Sequence, residues 1–317
     1  MFESRRDIQG EPTPAIALLV GCALLASAGA VALLLLAANL RLAPEGLIPF
    51  AVAAGAMGLL RFGLPATRWR HAHIVSAGAE YYTVFGLIAL MGAVATYPIA
   101  GLSHGLHDAA LQRVDEALGF DWLAWYRTVA DHRWLQIAGT AAYRSIYLSP
   151  ALLLGYFALN CERAAAYRFL AGFWLAAVIT LLAYPMLPAL GPLSYLWHGT
   201  IPYMPESAVW QAELIPPLRA EHVRWIDLTQ LHGLVEAPSF HAAAATLYIA
   251  TGWRIASLRW PLFAMNAAMF LSTPIEGTHY FIDLLLGVAV AAVAMVLIEA
   301  FAATRGAGNM RKAVQPG

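Results

Sequence analysis

Charge is scarce in this chain. Asp, Glu, Lys and Arg make up 12% of its 317 residues, about half the roughly 25% of soluble globular proteins. Lys plus Arg number 19 and Asp plus Glu number 19. With no net charge there is no global field to gather a polyanion. A disordered chain, a coiled coil and a soluble nucleic-acid binder are excluded on these grounds. Cysteine is also rare. Cys22 in an apolar run and Cys161 in a short loop exclude a disulfide framework and a cysteine zinc site. Repeats and low-complexity segments are missing too, alanine richness aside. What is abundant is apolar: 60% of the residues are hydrophobic and the mean hydropathy is +0.63, against roughly 45–50% apolar in soluble domains. The class that remains is an all-α, multi-span membrane protein.

Stretches near the ~20 residues needed to cross a bilayer recur eight times: Ala15–Ala38, Leu47–Leu64, Ala79–Ala100, Leu135–Leu159, Tyr167–Leu187, His241–Ile255, Trp260–Ile275 and Tyr280–Ala303. Backbone amides in lipid have no water partner, so these runs are expected to be helices. The first follows Arg5 and Arg6 and, at about 24 residues, is too long for a signal-peptide core. It reads as an uncleaved span.

The cations then set the sidedness. With the N-terminus in the cytoplasm, twelve fall inside (Arg5, Arg6, Arg61, Arg68, Arg70, Arg163, Arg168, Arg254, Arg259, Arg305, Arg311 and Lys312). Six fall outside: Arg41, Arg113, Arg127, Arg133, Arg219 and Arg224. That bias places both termini in the cytoplasm of a cell whose inner membrane holds the chain. The expected organisation is two N-terminal helices (1–78), a six-helix catalytic core (79–303) and a cytoplasmic tail (304–317). Two long outer segments, 101–134 and 188–239, belong to the core. The first has apolar residues near helical spacing and then Trp122, Trp125 and Trp134, as an interfacial helix would. It reads most simply as a packing lid. The second is rich in Pro, Trp and charge, and a loop of that length suits a cap or a substrate rim.

Ionisable groups inside a membrane are costly and mark function by default. Arg144, His241, His279 and Asp283 are such groups, and the topology above brings all four to the outer half of the bilayer. His279 and Asp283, four apart, share a helix face. There the carboxylate can accept the imidazole N–H and raise the basicity of the other nitrogen, which suits a nucleophile or base. A purely structural His–Asp pair has the same spacing. In Pro238-Ser239-Phe240-His241, serine suits a helix cap and proline a first turn. Free amides at that helix start can hold a phosphate, with His241 placed as a general acid; a plain helix start looks the same. Arg144, in Ala142-Tyr143-Arg144-Ser145-Ile146-Tyr147, can clamp phosphate oxygens or pair with Asp283 or Glu276 to tie helices together. Tyr143 and Tyr147 flank it and Ser239 caps the neighbouring helix, so all three join the phosphate-binding candidates.

The run PSFH at 238–241, followed about forty residues later by GTHYFIDLLLG at 277–287, resembles the type 2 phosphatidic acid phosphatase superfamily. The branch it resembles most holds the inositol phosphorylceramide synthases and their bacterial relatives. There the second signature is Pro-Ser-x-His and the third His-x-x-x-Asp. Leu118-Gly119-Phe120-Asp121-Trp122 also reads like that branch, and the similarity covers about residues 80–303. The resemblance implies that His279 forms a phosphohistidine, Asp283 orients it, and His241 protonates the leaving group and later activates water or an acceptor hydroxyl. Two departures stand out. Ser272 and Thr273 occupy the Ser-Arg positions before the third-signature histidine, and Ala142 and Ser149 replace the cations of the first signature. Both are compatible with the synthase-like branch, with Arg144 supplying the lost charge.

Other patterns carry less. Gly101-Leu102-Ser103-His104-Gly105 matches the G-x-S-x-G of serine hydrolases but follows a helix, not a strand, and reads as a turn. His71 and His73 sit in a solvated loop. His104, His107 and Asp108 share a helical face without a further strong ligand. Phosphohistidine chemistry needs no metal, so neither metal nor other cofactor is expected. The expected activity is hydrolysis or transfer of a lipid-linked phosphate or phosphodiester at the outer face. Its partners would be a phospholipid and, for transfer, a polyol or lipid hydroxyl; the oligomeric state stays open. A lipid or ion transporter is the rival class. It would need charges in both membrane halves or broken helices in repeated halves, and neither is evident.

Overall fold

The computed structural model describes residues 13–314, with side chains from 15 to 304. Arg5, Arg6 and the side chains of Arg305, Arg311 and Lys312 lie outside that range. The described chain is helical throughout, apart from one two-stranded bridge. In order the helices are α1 (Thr13–Ala37), α2 (Pro44–Gly58), α3 (Ala72–Leu102), α4 (Asp108–Ala117), α5 (Trp122–Asp131), α6 (Arg133–Arg144), α7 (Leu148–Leu159), α8 (Arg163–Ala183), α9 (Pro192–Leu196), α10 (Trp210–Arg219), α11 (Phe240–Trp253), α12 (Arg259–Glu276) and α13 (Phe281–Val314).

Five helical stretches among the described residues are long and apolar enough to cross a membrane: Ala15–Ala37, Pro44–Ala66, Ala72–Leu102, Arg163–Met186 and Phe281–Thr304. Leu25, Leu36, Leu59 and Phe62 on the first two stand about three-quarters exposed. Water would not tolerate such a surface, and lipid would. The protein is membrane-embedded. The other three expected spans take a different form. The run 135–159 is divided by a tight turn at Ser145–Tyr147 into α6 and α7, of 12 residues each. α11 has only 14 residues, about 21 Å of helix against a hydrocarbon core of about 30 Å. α12 has 18 residues, with Arg259, Asn266 and Glu276 along it. These shorter helices pack within the bundle.

The core explains why they pack there. Ala242, Ala243, Ala244 and Ala245 are all buried, and their small side chains let α12 and α13 approach α11 closely. Gly287 of α13 allows the tightest approach. A Cβ there would collide with the carbonyl of Ser239 and the Ala243 nitrogen. Phe173 of α8 lies between Phe85, Phe169, Phe240 and Tyr248 at the centre of the bundle. α1 joins this core through Ile16 and Val20. The link between α1 and α2 forms the parallel bridge, Arg41–Leu42 (β1) beside Trp225–Ile226 (β2). This ties the N-terminal helices to the loop that precedes α11.

Candidate active site

A cavity of about 360 Å³ opens between α3, α6 and α8 on one side and the loops before α11 and α13 on the other. Its wall includes Tyr143, Arg144, Tyr147, His241 and His279. Five of the seven residues singled out from the sequence therefore meet at one space. The other two, Ser239 and Asp283, are fully buried and stand behind it.

His279 lies just ahead of α13 rather than on it, because the helix begins at Phe281. Its Nδ1 is 3.5 Å from Asp283 Oδ2. That oxygen also accepts the backbone N–H of Tyr280 at 3.0 Å, so Asp283 folds the chain back over the helix start. Thr278, the residue before, is in the left-handed region with φ +53°, which costs a β-branched residue on the order of 1–3 kcal/mol. Its hydroxyl lies 3.3 Å from that of Ser207. Gly277 is needed for closeness: a Cβ there would lie 2.7 Å from His279 Cδ2 and 3.2 Å from Tyr143 Cε2.

Two carboxylates of α4 hold this segment in place. Asp115, fully buried, accepts the N–H groups of Phe281 at 2.7 Å and Ile282 at 2.9 Å. It caps α13 from another helix. Asp108 accepts from the backbone of Leu190 and Gly191 and from the Tyr280 hydroxyl, each at 3.0 Å. Seven residues apart, the two lie on one face of α4. The segment expected to be a packing lid therefore anchors the loop that carries His279. Burial pushes the Asp115 carboxyl above its ordinary range, outweighing the two amide donors that pull it down.

The motif at 238–241 folds as expected, with one shift. Ser239 caps α11 and accepts the Ala242 N–H at 3.4 Å. Pro238 precedes the cap instead of entering the first turn. The Ser239 N–H donates to the Asp283 carbonyl at 2.9 Å, stitching the two signature segments together. The His241 ring stacks on Tyr143 with centroids 4.0 Å apart. Its Nδ1 sits 3.2 Å from the Tyr143 hydroxyl. Tyr143 therefore orients the histidine, a role that spacing alone did not suggest.

Arg144 corrects the sequence reading. It ends α6 with a side chain 64% exposed, not buried mid-span, and its partner is neither Asp283 nor Glu276. It makes a two-pronged ion pair with Glu206, at 2.7 and 3.0 Å. Glu276 acts one step back. It accepts the Glu206 N–H at 3.1 Å, the Tyr203 hydroxyl at 2.7 Å and the Thr140 hydroxyl at 3.3 Å. Tyr147 beside it is 77% exposed. At the far wall His232 stacks on Trp210, centroids 3.8 Å apart, and burial holds its imidazole below the ordinary histidine range.

The departures from the signatures are structurally occupied. Ser149 is buried and donates to Asn266 Oδ1 at 3.0 Å. Thr273 is buried and donates to the Met269 carbonyl. Both side chains are thus engaged inside the bundle. Ser103 of the G-x-S-x-G match donates to the Ala100 carbonyl and accepts from Arg219 at 2.9 Å, as a turn residue would.

Sequence reasoning missed Glu236. It is fully buried, and its Oε1 lies 3.6 Å from His279 Nδ1. An acidic residue two places before a proline carries no signal of its own; only folding brings it to the imidazole. Glu236, His279 and Asp283 place a donor atom each within 4.8 Å of one another, the grouping among the described residues that could hold a metal ion.

A family model described as PAP2 superfamily matches residues 109–297. That region includes the anchoring helix α4 and both histidines. No curated protein and no solved structure gives a match.

Proposed function

Because the chain belongs to the PAP2 superfamily, whose members are phosphatases or phosphotransferases, we propose that it acts on a lipid-linked phosphate or phosphodiester through a phosphohistidine on His279. The observation that carries this reading is the pair of imidazoles on one cavity. The His241 Nδ1 lies 3.2 Å from the Tyr143 hydroxyl and the His279 Nδ1 faces Asp283 Oδ2 at 3.5 Å, which leaves Nε2 of each ring for chemistry.

In the first step the His279 Nε2 lone pair attacks phosphorus. The bond from phosphorus to the leaving oxygen breaks, and His241 delivers a proton to that oxygen. Asp283 accepts a hydrogen bond from Nδ1–H, which keeps its proton, and stabilises the imidazolium that forms. In the second step His241 takes the proton of water or an acceptor hydroxyl. The oxygen attacks phosphorus and the P–N bond breaks. Arg144 supplies the charge for the phosphate oxygens by exchanging Glu206 for the substrate, with Tyr143 and Tyr147 beside it. Ser239 serves by shaping the start of α11.

Head-group transfer is the second reading. Ser149 and Thr273, in place of signature cations, support it together with the resemblance to the inositol phosphorylceramide synthase branch. Lipid enters from the apolar side, where Ile88, Ala89 and Ala177 of α3 and α8 line the cavity. The arginine distribution supports an active site on the outer face and both termini in the cytoplasm.

The test is to trap a radiolabelled phosphoenzyme from a phospholipid substrate. Label is expected on His279 and lost in His279→Ala. A transporter gives no label, and full lipid turnover by His279→Ala together with Asp283→Asn would overturn the mechanism. Release of inorganic phosphate marks a hydrolase; a new lipid product marks a transferase.

A further inference from the structure

Three buried polar atoms at the site have no hydrogen-bond partner in range: Glu236 Oε1, His279 Nδ1 and Asp283 Oδ1. Such orphans are rare and each calls for an explanation. Two of them, Glu236 Oε1 and His279 Nδ1, face each other, and the Asp283 oxygen nearest the imidazole is Oδ2, which also accepts the Tyr280 N–H. Nδ1 is 3.5 Å from Asp283 and 3.6 Å from Glu236, so the imidazole N–H points between two carboxyl groups at nearly equal reach. Distances of this kind contract when substrate arrives. The far oxygen of Glu236 is not free to drift. Gln211 of α10, itself buried, donates to Oε2 at 3.1 Å.

We propose that Glu236, clamped by Gln211, is a second positioning residue for His279, so that Nδ1–H is shared between Glu236 Oε1 and Asp283. The inference rests on His279 as the reacting group. Electrostatics says how two carboxyls coexist there. Both being ionised, buried and 3.5–3.6 Å from one imidazole would leave a charge without compensation. Burial, and next Asp283, push the Glu236 carboxyl well above its ordinary range. A second charge beside Asp283 is thereby disfavoured. The other titratable groups around Glu236 are Asp108 of α4, Tyr143 of α6, Tyr184 after α8, and Tyr280. Among the described residues no Lys or Arg is recorded as pairing with it. The long outer loop thereby reaches the reacting histidine: α10 sets Gln211, Gln211 sets Glu236, and Glu236 sets the ring.

The test uses the full-length protein in detergent and follows the rate of phosphoenzyme formation against lipid concentration. Glu236→Leu removes the acceptor, and its rate should fall about 10–100-fold, the range for partners that orient a reacting histidine. Glu236→Gln keeps an oxygen acceptor and neutrality, and should restore the rate to within a few-fold of wild type. The loss in Glu236→Leu should fall on kcat, with KM for the lipid little changed. Gln211→Leu should give an intermediate loss. A wild-type rate in Glu236→Leu overturns the proposal. If that variant does not fold, a wild-type kcat in Gln211→Leu overturns it. Stoichiometric metal bound by wild type and lost in Glu236→Gln also overturns it, because a cation would then occupy the shared-proton position. His279→Ala run in parallel separates the levels: activity there defeats the phosphohistidine reading, whereas an inactive His279→Ala beside a fully active Glu236→Leu defeats only the role of Glu236.

Discussion

Replacing Asp115 with alanine tests whether α4 anchors the loop that carries His279. Asp115 is fully buried and accepts two backbone N–H groups, from Phe281 at 2.7 Å and Ile282 at 2.9 Å. These are orphan donors of a helix start. Alanine leaves both without a partner in a site closed to water, at about 1–3 kcal/mol each. The favourable placement of a carboxylate at a helix N-terminus is lost as well, about 0.3–1 kcal/mol. Against this stands the desolvation of the carboxylate, which wins over the two donors and raises its pKa. The expected net loss is about 2–4 kcal/mol, read as a shift in denaturant-induced unfolding in detergent. Asp115→Asn keeps one acceptor oxygen and should lose about half as much. The sign of the pH dependence follows from the raised pKa. The folded state holds the Asp115 proton more tightly than the unfolded state, so wild type should lose stability relative to Asp115→Asn as pH climbs from 3.8 into the raised range. Residues 281 and 282 follow His279 directly, so kcat should fall more than KM rises. An Asp115→Ala protein within about 0.5 kcal/mol of wild type, the scatter of ordinary surface substitutions, and with unaltered kcat refutes the anchoring argument.

Other substitutions probe other parts of the site. Asp283→Asn should cut phosphoenzyme formation by about 10²–10⁴-fold, measured by rapid quench, with lipid binding retained. Gly277→Ala adds a Cβ 2.7 Å from His279 Cδ2 and 2.8 Å from the Thr273 carbonyl, so turnover should drop and stability should fall by about 1–3 kcal/mol as overpacking. Glu206→Ala frees the Arg144 guanidinium from its ion pair and should lower KM for an anionic lipid; a KM that rises in titrations with mixed micelles assigns Glu206 to substrate binding instead. Gly287→Val drives α13 off the Ser239 carbonyl and should cost about 1–3 kcal/mol as overpacking, read in the same unfolding assay.

Much of the site was legible before folding because its signals are local. Ser239 capping α11 and the His279–Asp283 contact follow from spacing within one or two helical turns. The long apolar runs needed only composition. The breaks were not legible. Nothing in Arg144-Ser145-Ile146-Tyr147 announces that one apolar run becomes α6 and α7, because that turn answers to packing against α11 and α12. Burial of Arg144 was misjudged for the same reason: once the run breaks, the arginine sits at a helix end beside Glu206.

From its own residues the sequence determined a membrane-embedded helical class, the PAP2 signatures and the three side chains His241, His279 and Asp283. Apolar runs and i to i+4 spacing act within a segment, where sequence distance and spatial distance agree. The tertiary structure alone decided the partners of those side chains. Tyr143 lies 98 residues from His241, and Asp115 lies 166 from Phe281. Glu236 reaches His279 only because the outer loop folds back over α13. A partner across such separations is chosen by close packing, and packing is a property of the folded whole.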